Sequence, residues 1–264
     1  MPSFEIRSGE GLPIRGDVES PRSPRALVVI VHGFKGFKDW GFFPWLAEHL
    51  CNHGFAAARF NMSRSGIGDE ADEFGRLDLF SDDTYSTQIA DLVAVTRHLQ
   101  KPGLPTFLLG HSRGGGVALL AASQLRLKGV ITWSAISTAD RWDDDTKRKW
   151  RADGALDIVN ARTGQLMRMS PRMLDDYDAN AEKLNILEAA RSLPVPLLVI
   201  HGGRDESVPV EEARVIASRT REGALLVIDR AGHTMNAIHP LVHVPRELVY
   251  AAEVSAHFID VYAR

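Results

Sequence analysis

The chain has a single cysteine, Cys51, among its 264 residues. One thiol cannot form an internal disulfide or a multi-cysteine metal site, and it is compatible with a reducing compartment. No segment approaches the roughly 18 consecutive apolar residues of a membrane span. The segment "MPSFEIRSGEG" at the start also lacks the apolar core of a signal peptide. We therefore expect a cytoplasmic protein with no membrane partner.

The chain also has little excess charge. It contains 31 Lys and Arg residues against 34 Asp and Glu residues, a formal net charge of -3. Proteins that bind nucleic acids usually display basic patches, whereas the basic residues here are scattered, so we expect no nucleic-acid partner. The length and the 44% share of hydrophobic residues suffice for one sizeable core. They favour a single domain over residues 1–264.

Apolar runs and amphipathic runs alternate along the chain. Segments such as "ALVVIVHG", "PTFLLG" and "PLLVIHGG" are short, rich in Val, Ile and Leu, and closed by Gly, which is typical of strands buried on both faces of a parallel sheet. Segments of helical period lie between most of them, which indicates βαβ units with helices on both faces. Before them, "SFEIRS" and "LPIRGDVES" alternate apolar and polar residues and predict an antiparallel hairpin at one edge.

One long interval, at about residues 137–193, breaks this alternation. It is too long for a simple crossover, and "ALDIVNARTGQLMRMS" within it has a Thr-Gly turn between two β-like arms, which predicts a hairpin flanked by helices. We interpret the interval as a small lid over the carboxyl edge of the sheet, with Trp142, Trp150 and Met167 as expected substrate contacts. The alternative is an insertion that makes no contact with substrate.

The stretch "LLGHSRGGG", residues 108–116, indicates a reactive serine. It is a G-x-S-x-G pattern between an apolar strand and a helix of small residues, the context in which that pattern forms a sharp turn that exposes the serine. Gly110 and Gly114 lie two residues on either side of Ser112, where a Cβ would collide as the chain reverses. We predict that Ser112 is a nucleophile; the alternative is a structural turn.

A serine hydroxyl needs a base, and the base needs an acid that orients it. His233 follows the last predicted strand in a loop, in "VIDRAGHTMN", and is our candidate base, with His239 and His243 as further candidates. Asp205 follows the preceding strand, in "VIHGGRDESVP", and is our candidate acid.

Each of these assignments has an alternative. Asp140 and Glu206 are other candidates for the acid. His233 could instead be a surface histidine, and Asp205 could be an acid in the first turn of a helix.

The developing oxyanion needs two hydrogen-bond donors. We expect these to be the backbone N–H of Arg113, directly after the nucleophile, and the backbone N–H of Phe34 in "VIVHGFKGFKDW". Gly33 permits a close backbone approach at that point. Lys35 and Lys38 could add positive potential nearby, although exposed lysines are the default interpretation.

The motifs "HGFKG", "GHSRGG", "GGRDESVP" and "AGHTMN" together resemble those of the α/β-hydrolase superfamily over nearly the whole chain. Within it, the chain resembles the feruloyl and cinnamoyl esterase-like, dienelactone-hydrolase-like and serine-aminopeptidase-like members. This resemblance implies the α/β-hydrolase fold, with helices on both faces of a mostly parallel sheet. The chain order Ser112, Asp205, His233 is also the order found in that superfamily.

The predicted activity is hydrolysis of carboxylic esters with small or aromatic acyl groups, through an acyl-enzyme and without a metal or organic cofactor. The expected partner is therefore a small-molecule ester. A peptidase, an amidase or a thioesterase would use the same three residues, as would a lyase or a perhydrolase. A non-catalytic ligand-binding module on the same fold is an alternative of another class.

Overall fold

The computed structural model describes residues 3–68, 70, 72–160 and 163–264. In this part of the chain, eight strands form one sheet in the order β1-β2-β4-β3-β5-β6-β9-β10. These strands are β1 (Ser3–Arg7), β2 (Pro13–Glu19), β3 (Leu27–Val31), β4 (Ala56–Phe60), β5 (Thr106–His111), β6 (Gly129–Trp133), β9 (Leu197–Gly202) and β10 (Gly223–Ile228). Strands β3 to β10 of the sheet pair in parallel, whereas β1 with β2 and β2 with β4 pair antiparallel. The mostly parallel sheet with an N-terminal hairpin confirms the predicted fold class.

Helices cover both faces of the sheet. The longer ones are α1 (Phe43–Asn52), α3 (Tyr85–Leu99), α4 (Arg113–Ala121), α8 (Val210–Arg219) and α9 (Arg246–Tyr262), and a short α2 (Leu77–Ser81) precedes α3. None of the helices formed by the described residues combines the length and hydrophobicity that a bilayer crossing requires.

The core has two layers because the central strands are apolar on both faces. Along β3, Val29 and Val31 contact the layer beneath α3, α4 and α8, whereas Val28 and Ile30 contact the layer beneath α1 and α9. Successive side chains of a strand point to opposite faces, so a strand between two helical layers must be apolar throughout. This is the physical reason that the continuous apolar runs predict the central strands correctly.

The long interval after β6 contains α5 (Asp144–Asp153), β7 (Leu156–Val159), β8 (Leu166–Met169), α6 (Arg172–Asn180) and α7 (Ile186–Arg191). β7 and β8 pair antiparallel, which confirms the predicted hairpin flanked by helices. Gly164 of the predicted Thr-Gly turn has a φ of 71°, a conformation that glycine adopts without a steric penalty. Two residues of this turn, 161 and 162, lie outside the described part of the chain.

A buried carboxyl group holds the loop that follows β4. Asp91 of α3 is only 1% exposed, and its Oδ2 accepts a hydrogen bond from the backbone N–H of Ser63 at 2.7 Å. Burial raises the pKa of Asp91 to about 6, and the hydrogen bonds from Ser63 oppose this shift. The folded state therefore binds this proton more tightly than the unfolded state does, and the protein loses stability as pH rises through 6.

We expect Asp91→Asn to remove this pH dependence. The amide oxygen can still accept from the Ser63 N–H but carries no charge to desolvate. The free energy of unfolding of the variant, relative to wild type, should increase by about 2 to 3 kcal/mol between pH 4 and pH 8. Urea unfolding at several pH values measures this difference, and Asp144→Asn on an exposed face is the control. A wild-type-to-variant difference that does not change with pH contradicts the prediction.

Candidate active site

Ser112 lies alone between β5 and α4, in a strained backbone conformation. Its φ of 57° and ψ of -124° are rare for a residue with a side chain, and its N–H donates to the carbonyl oxygen of Trp133 at 2.8 Å. A Cβ at Gly114 would lie 2.4 Å from the carbonyl oxygen of His32, and one at Gly110 would lie 2.3 Å from that of Gly114. Both positions therefore require glycine, and the sharp turn has the geometry that the sequence predicts.

The structure brings Ser112, His233 and Asp205 into one hydrogen-bonded row. Nε2 of His233 lies 3.0 Å from Oγ of Ser112, and Nδ1 of His233 lies 2.8 Å from Oδ2 of Asp205. Because an ionised carboxylate only accepts, Nδ1 carries the proton and Nε2 presents its lone pair to the serine. The three residues follow β5, β9 and β10, whose carboxyl ends lie at the same edge of the sheet. This arrangement can remove a proton from the serine hydroxyl.

The Asp205 side chain is fully buried and has several donors. Its Oδ1 accepts from the backbone N–H groups of Ser207 and Val208, at 2.9 and 2.8 Å. Burial alone would raise the pKa of Asp205. The hydrogen bonds from His201, His233 and the Val208 N–H together have a larger effect in the opposite direction, so the pKa is well below its usual range. Asp205 is therefore ionised at neutral pH.

His201 is a contact of this site that the sequence does not reveal. It lies near the end of β9, is fully buried, and has its Nε2 2.9 Å from the carbonyl oxygen of Val208 and 3.3 Å from Oδ2 of Asp205. The carbonyl oxygen fixes the Nε2–H tautomer, so the same N–H faces the carboxylate. The only indication of this contact in the sequence is that a polar residue occurs in an otherwise apolar strand.

The backbone before Phe34 passes close to the serine. A Cβ at Gly33 would lie 2.9 Å from Cβ and 3.4 Å from Oγ of Ser112. Neither the Phe34 N–H nor the Arg113 N–H donates a hydrogen bond to another described residue. Both amides therefore remain available to a ligand beside Ser112, as an oxyanion site requires.

The side chain of Arg113 has a second contact with this loop. It is only 4% exposed, and its guanidinium lies 3.9 Å from the ring centroid of Phe34 and 5.0 Å from that of Tyr85. Such cation–π contacts strengthen when water is excluded. The charge of Arg113 also acts on the buried carboxyl group of Asp83. Burial raises the pKa of Asp83 to about 7, and the positive charge of Arg113 opposes this shift. The side chain thus holds Phe34 against the start of α4, a role that the sequence did not indicate.

A cavity of about 200 Å³ opens beside Ser112 and His233. Its remaining lining residues are Gly33, Phe34, Lys35, Gly36, Trp40, Phe43, His111, Asn160 and Thr234. Asn160 comes from the turn of the β7–β8 hairpin, so the insertion does reach this cavity, and Nζ of Lys35 donates to the carbonyl oxygen of Val159 in the same hairpin at 3.4 Å. Trp40, Phe43 and Asn160 were not singled out in the sequence, because nothing local distinguishes them from core or loop residues.

The structure does not bring Trp142, Trp150 or Met167 to this cavity. Trp150 and Met167 are at most 1% exposed, and Nε1 of Trp150 donates to the carbonyl oxygen of Met169 at 2.8 Å. The Trp142 ring packs edge-on against Trp150, with ring centroids 5.0 Å apart. Trp150 lines a different cavity, of about 490 Å³, beside β7 and β8. The interpretation of these side chains as substrate contacts is therefore corrected: the insertion uses them to build its own apolar core.

The remaining histidine candidates lie apart from Ser112. Nδ1 of His239 accepts from the N–H of Gly41 at 2.8 Å, and the His239 ring packs against Trp40. His243 is exposed.

The other charged candidates also have different surroundings. Asp140 pairs with Lys147 at 2.6 Å, Lys38 pairs with Asp17 at 2.6 Å, and Glu206 is exposed. Of the two lysines, Lys35 alone lines the cavity.

Comparison with known proteins agrees with the fold and finds relatives that are named as hydrolases. Residues 22–150 match the family model of hydrolases described as serine aminopeptidase, S33. The chain is 25% identical over 244 residues to monoacylglycerol lipase of Mycolicibacterium smegmatis, covering 79% of this chain and 81% of the lipase. It is 27% identical over 156 residues to 2,6-dihydropseudooxynicotine hydrolase of Paenarthrobacter nicotinovorans, covering 57% of this chain but only 40% of that protein.

A solved structure shares the whole fold. Est1E of Butyrivibrio proteoclasticus, determined with ferulic acid bound, superposes with a TM-score of 0.73 at 21% identity and covers 98% of both chains. The sheet order, the helices on both faces and these likenesses show that the chain has the α/β-hydrolase fold, and they confirm the resemblance found in the sequence. The two curated relatives carry the names of a hydrolase and a lipase.

Proposed function

We propose that this protein is a serine hydrolase that cleaves carboxylic esters with small or aromatic acyl groups. The observation that carries this proposal is the hydrogen-bonded row of Ser112, His233 and Asp205 beside an apolar cavity. The α/β-hydrolase fold and the relatives named as a hydrolase and a lipase support a hydrolytic activity.

In the first half of the reaction, Nε2 of His233 accepts the proton of Ser112 as Oγ attacks the ester carbonyl carbon. The backbone N–H groups of Phe34 and Arg113 donate to the carbonyl oxygen as it becomes negatively charged. His233 then gives the proton to the leaving alcohol as the tetrahedral intermediate collapses to the acyl-enzyme. Asp205, which stays ionised, stabilises the transient imidazolium.

In the second half, a water molecule takes the place of the alcohol. His233 accepts a proton from that water as its oxygen attacks the acyl carbon, and the same two N–H groups stabilise the second oxyanion. Collapse of this intermediate returns the proton to Oγ of Ser112 and releases the carboxylic acid. Each proton that His233 accepts is therefore given up again within the same half of the reaction.

The cavity favours a small substrate. Its volume of about 200 Å³ accommodates a short or planar acyl group, and Phe34, Trp40 and Phe43 offer ring surfaces to it. Aromatic rings pack favourably on such surfaces, which is consistent with a ferulate-like or benzoate-like acyl group. The structural relative solved with ferulic acid supports the same substrate class.

An aminopeptidase is the second candidate, because the family model that matches residues 22–150 bears that description. Recognition of a free N-terminal ammonium requires a carboxylate or several carbonyl oxygens near the nucleophile. Among the described residues that line the cavity, none is acidic, and Lys35 adds a positive charge. Electrostatics in the cavity therefore favour an uncharged or anionic acyl group over an ammonium group.

A panel of substrates tests the proposal. We expect measurable turnover of p-nitrophenyl acetate and butyrate and of methyl hydroxycinnamates, slower turnover of p-nitrophenyl decanoate, and none of aminoacyl p-nitroanilides. Short-chain thioesters in the same panel identify thioesterase activity. Cleavage of the anilides or thioesters without cleavage of any ester overturns the ester assignment, and failure of a fluorophosphonate probe to label the chain overturns the serine hydrolase itself.

A further inference from the structure

Three side chains with metal-binding groups meet between α1 and α9. His49 lies in the last turn of α1, His53 directly follows that helix, and Glu253 of α9 faces both. Nε2 of His49 is 3.4 Å from Oε1 of Glu253, and Nε2 of His53 is 3.3 Å from Oε2. One ligand atom from each residue can be chosen so that all three lie within 4.8 Å of one another. Among the residues that the structure describes, His49, His53 and Glu253 are the histidine, cysteine or acidic side chains that lie close enough together to hold one metal ion.

Both imidazoles present Nε2 toward the same point. Nδ1 of His53 lies 2.9 Å from the carbonyl oxygen of His49, which can only accept, so Nδ1 carries the proton and the Nε2 lone pair is free. Metal-binding histidines almost always donate their other ring N–H in this way, which fixes both tautomer and orientation.

The His49 ring is held by packing instead. It stacks on the Trp45 ring with centroids 4.9 Å apart, and its buried Nε2 makes no hydrogen bond to another described residue. Nε2 of His49 is thus a buried ring nitrogen without a hydrogen-bond partner among the described residues, at the point where His53 and Glu253 also meet.

We propose that His49, His53 and Glu253 form a binding site for a divalent transition-metal ion such as Zn²⁺. With metal–ligand distances of about 2.0–2.1 Å, two ligand atoms of a tetrahedral zinc site lie about 3.3 Å apart. Each imidazole Nε2 has this spacing to one oxygen of Glu253, that of His49 to Oε1 and that of His53 to Oε2. One ligand atom from each residue lies within 4.8 Å of the other two, so small side-chain rotations bring three of them to a single ion. Two imidazoles and one carboxylate suit Zn²⁺ and its neighbours in the first transition row, whereas Ca²⁺ and Mg²⁺ prefer oxygen ligands.

The predicted ion links the two helices that cover one face of the sheet. Glu253 is 52% exposed and His53 is 36% exposed, so both can rotate toward an ion, and the open side leaves a fourth position for water. None of the three residues lines the cavity beside Ser112. The ion should therefore stabilise the attachment of α9 to α1 without taking part in hydrolysis, and the inference does not rest on the proposed function.

Calorimetric titration of Zn²⁺ into protein treated with a chelator, combined with thermal unfolding, tests the proposal. We expect wild type to bind one Zn²⁺ at this site and its unfolding temperature to rise with Zn²⁺ concentration. His53→Ala and Glu253→Gln should each weaken that binding at least tenfold and remove the thermal shift. His98→Gln, at an exposed histidine on α3, is the matched control and should behave as wild type.

Co²⁺ gives a second readout, since its visible absorption reports tetrahedral coordination. Wild type and His98→Gln should show that band, whereas folded His53→Ala and Glu253→Gln proteins should not. Unfolding without metal shows that the variants are folded. Equal Zn²⁺ affinity and equal thermal shift in wild type and His53→Ala would overturn the proposal, because the ion would then be bound elsewhere, for example at His233. Absence of any Zn²⁺ binding to wild type overturns it too.

Discussion

Ser112→Ala is expected to lower kcat for p-nitrophenyl butyrate by about 10⁵- to 10⁶-fold, to the level that binding and the oxyanion donors alone support. The substitution removes Oγ, which is 3.0 Å from Nε2 of His233 and which forms the acyl-enzyme in the proposed mechanism. Initial rates with highly purified protein measure the loss. Fluorophosphonate labelling, which requires the same oxygen, should disappear in parallel.

The fold should survive this change. Alanine retains the Cβ, so the backbone strain at a φ of 57° is the same, and the Ser112 N–H still donates to Trp133. We expect the free energy of unfolding to change by no more than about 1 kcal/mol, which corresponds to one hydrogen bond. Ser123→Ala, at an exposed serine after α4, controls for the substitution and should retain full activity and labelling. Near-normal turnover by Ser112→Ala would eliminate Ser112 as nucleophile.

The fold was predictable because its determinants are local. The central strands are continuous apolar runs because helices cover both faces, and the N-terminal arms alternate because only one side of that edge packs on the core. The meeting of Ser112, Asp205 and His233 at one place was predictable for a related reason. Each directly follows a recognisable strand, and the carboxyl ends of parallel strands meet at one edge of the sheet.

The walls of the cavity could not be predicted in this way. Asn160 reaches the cavity only because β7 and β8 pair in one particular register, and Trp40 and Phe43 do so only because of the path between β3 and α1. Hydrophobicity also misled the interpretation of the insertion. Trp150 is large and aromatic like a substrate contact, but an insertion of short elements needs such side chains for its own core.

The Arg113 side chain illustrates a further limit. Its position directly after Ser112 predicts a role for its backbone N–H, and that prediction depends on chain order alone. Its burial against Phe34 and Tyr85 depends on two segments that are distant in sequence. A charged residue in the first turn of a helix is ordinarily exposed, so nothing in the sequence indicates the burial of this guanidinium.

The acid is the second position at which we expect a large effect. Asp205→Asn should lower kcat by about 10⁴-fold while the fold is retained. Oδ1 of Asp205 is held by the N–H groups of Ser207 and Val208, so the oxygen of an asparagine takes that place and its NH₂ group faces Nδ1 of His233. Nδ1 must then accept, and the proton moves to Nε2. His233 in that tautomer cannot take the proton of Ser112.

Two neighbouring acids make this prediction specific. Glu206→Gln alters the exposed adjacent carboxylate, and Asp140→Asn alters a carboxylate paired with Lys147, so both should retain at least half of wild-type kcat. In Asp205→Asn, the rate of fluorophosphonate labelling should fall together with kcat, because both depend on removal of the Ser112 proton. A loss below tenfold would mean that another group orients His233, and a comparable loss in Asp140→Asn would transfer the role to that residue. Since the pKa of Asp205 is well below its usual range, lowering the pH to 5 should not reproduce the effect of the substitution through this carboxyl.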